Sequence, residues 1–247
     1  MSTVRALWRH PIKGHGREAL SEAALTKGQT MPWDRRWAVA HEMSGADNTA
    51  WAPCANFSRG SKNGAQMAIS TTSDEAAGTV TLSHPDLSDL TFDPDRETQA
   101  FLDWVRPIMP ANRAQSTRII RVDGRGMTDT DYPSISLINL ASNADLAATL
   151  GAEISPLRWR CNIHIDGFPA WEEFTWVGKS LRIGEIELTV REPIERCLAT
   201  TANPATGERD LDTLKALNTT YDHQDFGVYC EVITGGTLRV GDRVEVL

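Results

Sequence analysis

The sequence has no apolar run that reaches the roughly 18 residues needed to cross a bilayer. Its first segment, Met1–Lys13, contains no continuous apolar core of the kind that a secretory signal requires. These two absences predict a soluble, cytoplasmic protein without a membrane span.

Several common catalytic patterns are also missing. The four cysteines are far apart and form no CxxC pair, which argues against a zinc site, a redox dithiol and an iron–sulfur cluster. The six histidines form no HExxH motif, and there is no GxSxG elbow, Walker loop or GxGxxG fingerprint. Standard hydrolase, nucleotide-phosphatase and Rossmann interpretations are therefore rejected.

Basic residues are fewer than acidic residues in this sequence. The chain has 25 Lys and Arg against 33 Asp and Glu, for a formal net charge of -8. Nucleic-acid binding depends on neutralising phosphates with basic side chains, so this balance argues against a nucleic-acid partner. Any anionic ligand must be met by a local basic cluster. With 247 residues, 40% of them hydrophobic, the chain can form a folded core.

Short segments of strand-like length and composition dominate the first part of the chain. We predict strands at Val4–Trp8, Trp37–Ala40, Met67–Ser70 and Val80–Leu82. One helix interrupts them. We expect it to begin after Asp93, with Pro94 at its first position and apolar Phe101, Leu102 and Val105 on one side, and to end at Pro107 and Pro110.

The polar segment Ala111–Thr117 is the expected passage between two subdomains, with a boundary near residue 113. After it we predict a strand at Ile119–Val122 and a helix from Ser142, as N-cap, through Leu150, ended by Gly151. The two similar segments Leu181–Glu185 and Leu238–Asp242 are typical of strands that end in a Gly-acid turn.

The sequence shows no alternation of strands and helices, so a parallel sheet is not expected. The expected fold class is mainly β (α+β), a curled or barrel-like body with a few peripheral helices. The predicted domains are residues 1–112 and residues 113–247.

The segment Arg158–Ile165 alternates strictly between polar and apolar residues, which predicts a strand. Its polar side chains would share one face: Arg158, Arg160, Asn162 and His164. Two arginines two residues apart on one strand would stand about 6.5 Å from each other and suit an anion. A solvated or ion-paired face explains the same pattern.

Cys197 follows a cation, Arg196, and precedes the hydroxyls of Thr200 and Thr201. A neighbouring arginine favours the thiolate, the form that binds metals. An inert, half-buried cysteine is the alternative. Cys230, within an apolar segment, has the setting of a core residue.

A third cluster near the start, His10–Lys13 and Asp34–Trp37, contributes cations at turns, although ordinary surface charge explains it equally. Taken in order, the three clusters resemble the MOSC family, named for the C-terminal domain of molybdenum cofactor sulfurases, and are most similar to its amidoxime-reducing branch. The family's Tyr-Pro-Ile-Lys-Ser appears as His10–Gly14, its Asp-Arg-x-Trp as Asp34–Trp37, and its Arg-Pro-Asn as Arg160–Asn162. In this resemblance Gly14 replaces Ser and Cys161 replaces Pro.

The metal-site motif of the family, Arg-Cys-x-x-Thr-Thr followed by Asn-Pro-x-Thr-Gly, is matched by Arg196–Thr201 and Asn203–Gly207. The closing motifs are matched by Phe226–Tyr229 and Gly236–Asp242. A third departure is Trp51–Cys54, where relatives have a Thr-Ala-Arg-Gln-like segment. The resemblance thus spans nearly the whole chain.

The resemblance implies a MOSC-type β-barrel domain packed on a strand-rich N-terminal β-barrel-like domain, and a molybdenum cofactor (Mo-molybdopterin) with Cys197 as metal ligand and catalytic residue. Lys13, Arg35 and Arg160 are the expected cations for its phosphate and pterin. The resemblance assigns the other cofactor contacts to Gly14, Ser134, Asn162, Arg196, Thr200, Thr201 and Tyr229.

The activity that the resemblance implies is oxygen removal from hydroxylamines and amidoximes, with electrons from a separate flavin, haem or iron–sulfur protein. The alternatives are a non-catalytic carrier of the cofactor or of sulfur, and a cofactor-free interaction module.

Overall fold

The computed structural model describes residues 1–247, and strands make up most of its regular structure. The strands are β1 (Thr3–Arg9), β2 (Ile12–Lys13), β3 (Glu18–Leu20), β4 (Glu22–Leu25), β5 (Trp37–His41), β6 (Ser70–Asp74), β7 (Thr79–His84), β8 (Leu87–Phe92), β9 (Ser116–Ile120), β10 (Ile135–Asn139), β11 (Ile163–Asp166), β12 (Ser180–Ile183), β13 (Ile186–Glu195), β14 (Asp225–Thr234), β15 (Gly236–Arg239) and β16 (Val244–Val246).

The helices are few and short: α1 (Thr98–Val105), α2 (Leu140–Leu150) and α3 (Thr213–Ala216), the last continued by a π-turn at Leu217–Tyr221. None has the length and apolar composition that a transmembrane span requires. The predicted mainly β class is confirmed, although the sheets do not close on themselves.

The largest sheet has eight strands in the order β16-β12-β13-β14-β10-β11-β1-β3. Its neighbours are antiparallel except for β10 and β11, which run parallel with Leu137 opposite Ile163. β1 pairs with β11, and β5 pairs with β9. In both pairs one strand precedes residue 113 and the other follows it. The division into domains at that point stays a prediction.

A core of twenty buried residues covers one face of this sheet. On β14, Val228, Cys230 and Val232 point into it because side chains two residues apart share a face. Cys230 is fully buried, as its apolar neighbours predicted, and this burial raises the pKa of its thiol.

A second core lies between the sheets β2-β5-β9 and β6-β7-β8 and helix α1. Phe101 and Val105 are buried in it, as predicted, but α1 begins at Thr98 rather than after Asp93. The Asp93 carboxylate accepts a hydrogen bond from the Asp95 amide at 2.9 Å. Because this bond forms a local turn, the helix begins further along the chain than predicted.

Three further boundaries differ from the prediction. The continuous apolar segment that predicted a strand at Met67–Ser70 is a 3₁₀ turn, Gly64–Ala68, because a short buried run does not distinguish the two. The strand predicted at Ile119–Val122 is β9, which begins earlier, at Ser116, and ends at Ile120. Helix α2 begins after Asn139, whose side chain accepts from the Ala141 amide, and ends at left-handed Gly151 as predicted.

The predicted strand at Arg158–Ile165 is wrong. Pro156 starts a 3₁₀ turn that lasts to Trp159, since its fixed φ suits the first helical position. Arg160 then adopts a left-handed conformation with φ 50°, and the strand starts only at Ile163. The expected apolar residues are buried, but Arg158 and His164 are buried as well, so no polar strand face exists.

Candidate functional site

A cleft of about 230 Å³ is lined by both the first and the second part of the chain. Its walls include three thiols and a concentration of cations. Eight of the eleven site residues predicted from the sequence line it: Lys13, Gly14, Arg35, Arg160, Arg196, Cys197, Thr200 and Tyr229.

Cys197 lies where the long strand β13 gives way to a 3₁₀ turn, Leu198–Thr201. Its backbone is extended, and its carbonyl accepts hydrogen bonds from both the amide and the hydroxyl of Thr200, each at 3.1 Å. Of the four cysteines only Cys197 is exposed. The half-buried alternative is therefore wrong, and the thiol is accessible from the cleft.

The cation that precedes Cys197 in the sequence does not act on it through a contact. The Arg196 guanidinium donates to the backbone carbonyls of Phe226 and Trp159 and, at 3.2 Å, to the sulfur of Cys161. It also lies 5.5 Å from the centre of the Trp159 ring. Adjacency in sequence was a poor guide because neighbouring residues of an extended chain point in opposite directions.

Lys13 and Arg35 form one side of the cleft, and each has a carboxylate partner. The Lys13 ammonium donates to the carboxylate of Asp129 at 2.5 Å and to the carbonyl of Met127 at 2.8 Å. The Arg35 guanidinium pairs with buried Asp34. Burial opposes the charge of Arg35, but Asp34 and then Asp129 outweigh it and raise the pKa of Arg35.

Arg160 has no carboxylate partner. One terminal nitrogen, Nη2, donates to the carbonyl of Gly16 at 3.0 Å, while the other, Nη1, is buried without a hydrogen-bond partner. Burial, followed by the positive charges of Arg35 and Arg17, lowers the pKa of Arg160 to about 9. An oxyanion beside Nη1 would satisfy this donor and stabilise the charge.

Tyr229 lies on β14 opposite Ser136. Burial, and then the negative charge of Asp129, raises the pKa of its phenol, so the hydroxyl keeps its proton at neutral pH. This hydroxyl makes no hydrogen bond within the protein. It is available as a donor to a ligand.

Gly14 is required by the backbone. Its φ is +78°, and a Cβ atom at this position would lie 2.6 Å from the carbonyl oxygen of Ser58. A serine here, as in the family pattern, would be strained in this structure. Gly14 therefore offers a ligand only its backbone.

The remaining three predicted residues do not line the cleft. Asn162 joins strands: its side-chain oxygen accepts from the amide and hydroxyl of Ser136, and its nitrogen donates to Trp8. The Thr201 hydroxyl donates to the carbonyl of Leu198 and accepts from Arg209. Ser134 lies in an adjoining small cavity with Asn162 and Tyr229.

Several lining residues were missed. Asp129 gave no local signal, because its partner Lys13 is 116 residues away in sequence. Cys54 accepts a hydrogen bond from Arg59 at 3.0 Å, and only the departure at Trp51–Cys54 pointed to it. Arg158, which was not missed but was placed on the predicted strand face, also lines the cleft; it is buried and paired with Asp210 at 2.6 Å, which confirms the ion-paired alternative for this one arginine.

Two family models match this sequence. The MOSC domain model matches residues 127–245, and the MOSC N-terminal beta barrel domain model matches residues 1–106.

Curated relatives share parts of the sequence. Mitochondrial amidoxime reducing component 2 of Rattus norvegicus is 37% identical over 128 residues, which are 46% of this chain and 37% of the relative. Mitochondrial amidoxime-reducing component 1 of Mus musculus is 31% identical over 56% of this chain and 44% of its own length. Molybdenum cofactor sulfurase of Drosophila ananassae is 33% identical over 52% of this chain and 18% of its own. The chain thus spans less than half the length of these relatives.

Solved structures are more distant. The YUAD protein of Bacillus subtilis is 13% identical with a TM-score of 0.47, over 100% of this chain and 96% of that one. YiiM of Geobacillus stearothermophilus is 18% identical with a TM-score of 0.37, over 46% and 53%.

Proposed function

The chain belongs to the MOSC family, with the family's N-terminal domain ahead of its MOSC domain, and on that premise we propose that it is a molybdenum-cofactor-dependent reductase of N-hydroxylated compounds. Hydroxylamines and amidoximes are the proposed substrates. The names of the amidoxime reducing components among its relatives support this class of reaction.

One observation carries the proposal: an exposed thiol and an arginine with a buried, unsatisfied nitrogen line the same cleft. Cys197 offers a soft ligand to a metal, and Nη1 of Arg160 needs an anionic partner. A molybdenum cofactor presents a metal and a phosphate together. The residues of the cleft therefore fit this group in the chemistry of their donors.

Residues from both the first and the second part of the chain would hold the cofactor. Cys197 is the proposed ligand of the metal, while Lys13, Arg35 and Arg160 are the proposed partners of the phosphate and pterin. The backbone of Gly14 allows close approach. Asn162, Ser134 and Thr201 would act indirectly, since their side chains bond to other parts of the protein.

When bound, the molybdenum cofactor supplies the two-electron chemistry that removes oxygen from the substrate. The chain itself would orient the substrate and manage protons. Tyr229 is the proposed donor of a hydrogen bond to the substrate oxygen, because its hydroxyl is free and its raised pKa keeps the proton in place. Thr200 would keep the backbone of Cys197 in position.

The proposed electron source is a separate redox protein, because the sequence has no dinucleotide fingerprint and no four-cysteine cluster. Encounters between redox proteins typically bury little surface. The redox partner would therefore bind transiently.

The test combines metal analysis with a reduction assay. Purified protein should contain molybdenum and reduce a hydroxylamine to the amine when a reduced viologen is supplied, but not with NADH or NADPH alone. Molybdenum without turnover would favour the carrier alternative. Protein that takes up no molybdenum from a cofactor-producing host would refute the proposal.

A further inference from the structure

A second cavity, of about 270 Å³, is lined by both sequence neighbours of Arg35, Asp34 and Arg36, but not by Arg35 itself. We name it the Arg36 pocket and define it by Gln29, Trp33, Arg36, Arg121, Gly124 and Arg125, which are among its lining residues. It shares no lining residue with the cleft that contains Cys197 and Arg160, which we call the cofactor cleft. Arg35 lines the cofactor cleft, whereas Arg36 lines this pocket.

Arg36 has no partner of opposite charge. Its guanidinium carbon lies 5.2 Å from the ring centres of both Trp33 and Trp37, and it makes no hydrogen bond or ion pair. The Nε atom is buried without a partner. The two aromatic rings therefore hold the guanidinium in place and leave its hydrogen-bonding capacity unused.

The other charges of the pocket do not neutralise Arg36. Asp34 also lines it, but its carboxylate is bound to His10 and Arg35. Asp123 is paired with Arg121 at 3.2 Å. Arg125 adds a further positive charge, since its guanidinium donates to backbone carbonyls, such as that of Asp131 at 2.7 Å, and stacks over Trp51.

An unpaired, partly buried arginine is unexpected in a chain whose formal net charge is -8. Planar guanidinium groups bind phosphate and carboxylate through two parallel hydrogen bonds. Gln29, an exposed residue in the lining of the same cavity, makes no side-chain hydrogen bond within the protein, so its amide donor is free. The pocket thus combines excess positive charge with free donors.

We propose that the Arg36 pocket is a binding site for a small-molecule oxyanion, a phosphate or a carboxylate, with Arg36 as its principal contact. This site is separate from the cofactor cleft, and the proposal does not depend on the proposed reductase activity. The family motif Asp-Arg-x-Trp specifies Asp34, Arg35 and Trp37 but allows any residue at position 36. The proposal assigns a function to Arg36.

The experiment measures binding of inorganic phosphate, pyrophosphate and citrate to the purified full chain at constant ionic strength. Isothermal titration calorimetry and tryptophan fluorescence are suitable, because Trp33 and Trp37 contact Arg36. At least one of the three anions should bind saturably. Arg36→Gln should weaken that binding by roughly ten-fold or more, and Arg36→Lys by less, because lysine keeps the charge but not the planar pair of donors.

Two matched variants control for other sources of binding. Arg182→Gln removes an exposed arginine on β12, paired with Glu245 at 3.7 Å, and should leave the affinity within about two-fold of wild type. Arg160→Gln reports binding in the cofactor cleft. Loss of binding confined to Arg160→Gln would assign the anion to the cleft and overturn the proposal, as would unchanged affinity in Arg36→Gln or no saturable binding of any probe. Thermal unfolding verifies that each variant is folded.

Discussion

The two walls of the cleft hold their cations in different ways. On the first wall, defined by Lys13 and Arg35, each cation is paired with a carboxylate. On the second wall, defined by Arg160, Arg196 and Cys197, the arginines donate only to backbone carbonyls and to one sulfur. Both walls face the same space, but only the second has positive charge that no acid compensates.

This difference separates the roles of the walls. A buried ion pair contributes to the folded structure, and breaking it leaves an uncompensated charge. A partly buried cation without a counter-ion has a desolvation cost until a ligand supplies one, and the lowered pKa of Arg160 reflects that cost. The first wall is therefore expected to matter more for folding, and the second more for ligand retention.

Cys197 provides the largest expected effect. Cys197→Ser should lower viologen-supported reduction of a hydroxylamine by at least ~100-fold, since losing even an indirect support of a metal ligand typically costs 10–100-fold. Cys230→Ala is the matched control: it removes a thiol buried in the main core, and turnover per folded molecule should persist. Loss of turnover in the control with retention in Cys197→Ser would contradict the assignment.

Arg35→Ala tests the first wall. Removing the guanidinium leaves Asp34 buried with only His10 beside it, so the free energy of unfolding of cofactor-free protein should fall by about 3 kcal/mol. Arg160→Ala should cost much less, because Arg160 has no carboxylate to leave unpaired. Urea denaturation of both variants measures the difference. Equal losses would remove the distinction between the walls.

Arg160→Ala tests the second wall. Cofactor retention after gel filtration should fall by about 10-fold or more, because the variant loses the proposed charge-assisted contact to the cofactor's phosphate. Arg182→Ala, which removes a half-exposed arginine of β12, should retain the cofactor as wild type does. Molybdenum content per chain is the measurement. Similar retention in both variants would show that Arg160 does not hold the cofactor.

A smaller effect concerns pH. Burial lowers the pKa of His15 from 6.5 to about 4; its hydrogen bond to the carbonyl of Lys13 opposes the shift, and the charge of Arg160 adds to it. Between these two pH values the unfolded chain binds more protons, so the free energy of unfolding falls as pH decreases, by up to about 1.4 kcal/mol per pH unit. His15→Gln should flatten this fall in urea denaturation from pH 7 to pH 4. An unchanged slope would argue against a buried, neutral His15.

The strand content was predictable because alternation is a local property. β1, β5 and β7 lie close to their predicted positions, and the core position of Cys230 followed from its neighbours. The alternation at Arg158–Ile165 misled because Pro156 and the left-handed Arg160 turn a strand-like pattern into a 3₁₀ turn and a loop. Single-residue backbone conformations of this kind are decided by tertiary packing.

Membership of the cleft was partly predictable from ordered motifs, but the direction of each side chain was not. Arg196 adjoins Cys197 in sequence yet contacts Cys161. The partner of Lys13 lies 116 residues away, and the absence of a partner for Arg160 depends on everything packed around it. Such long-range pairing leaves no trace in local spacing.

The central claim is that Cys197 ligates molybdenum in this cleft. X-ray absorption at the molybdenum edge measures the sulfur atoms bound to the metal, at molybdenum contents matched between wild type and Cys197→Ser. The account predicts one sulfur fewer around molybdenum in the variant, with the cofactor's own sulfurs unchanged. An identical sulfur shell in the two proteins would contradict it.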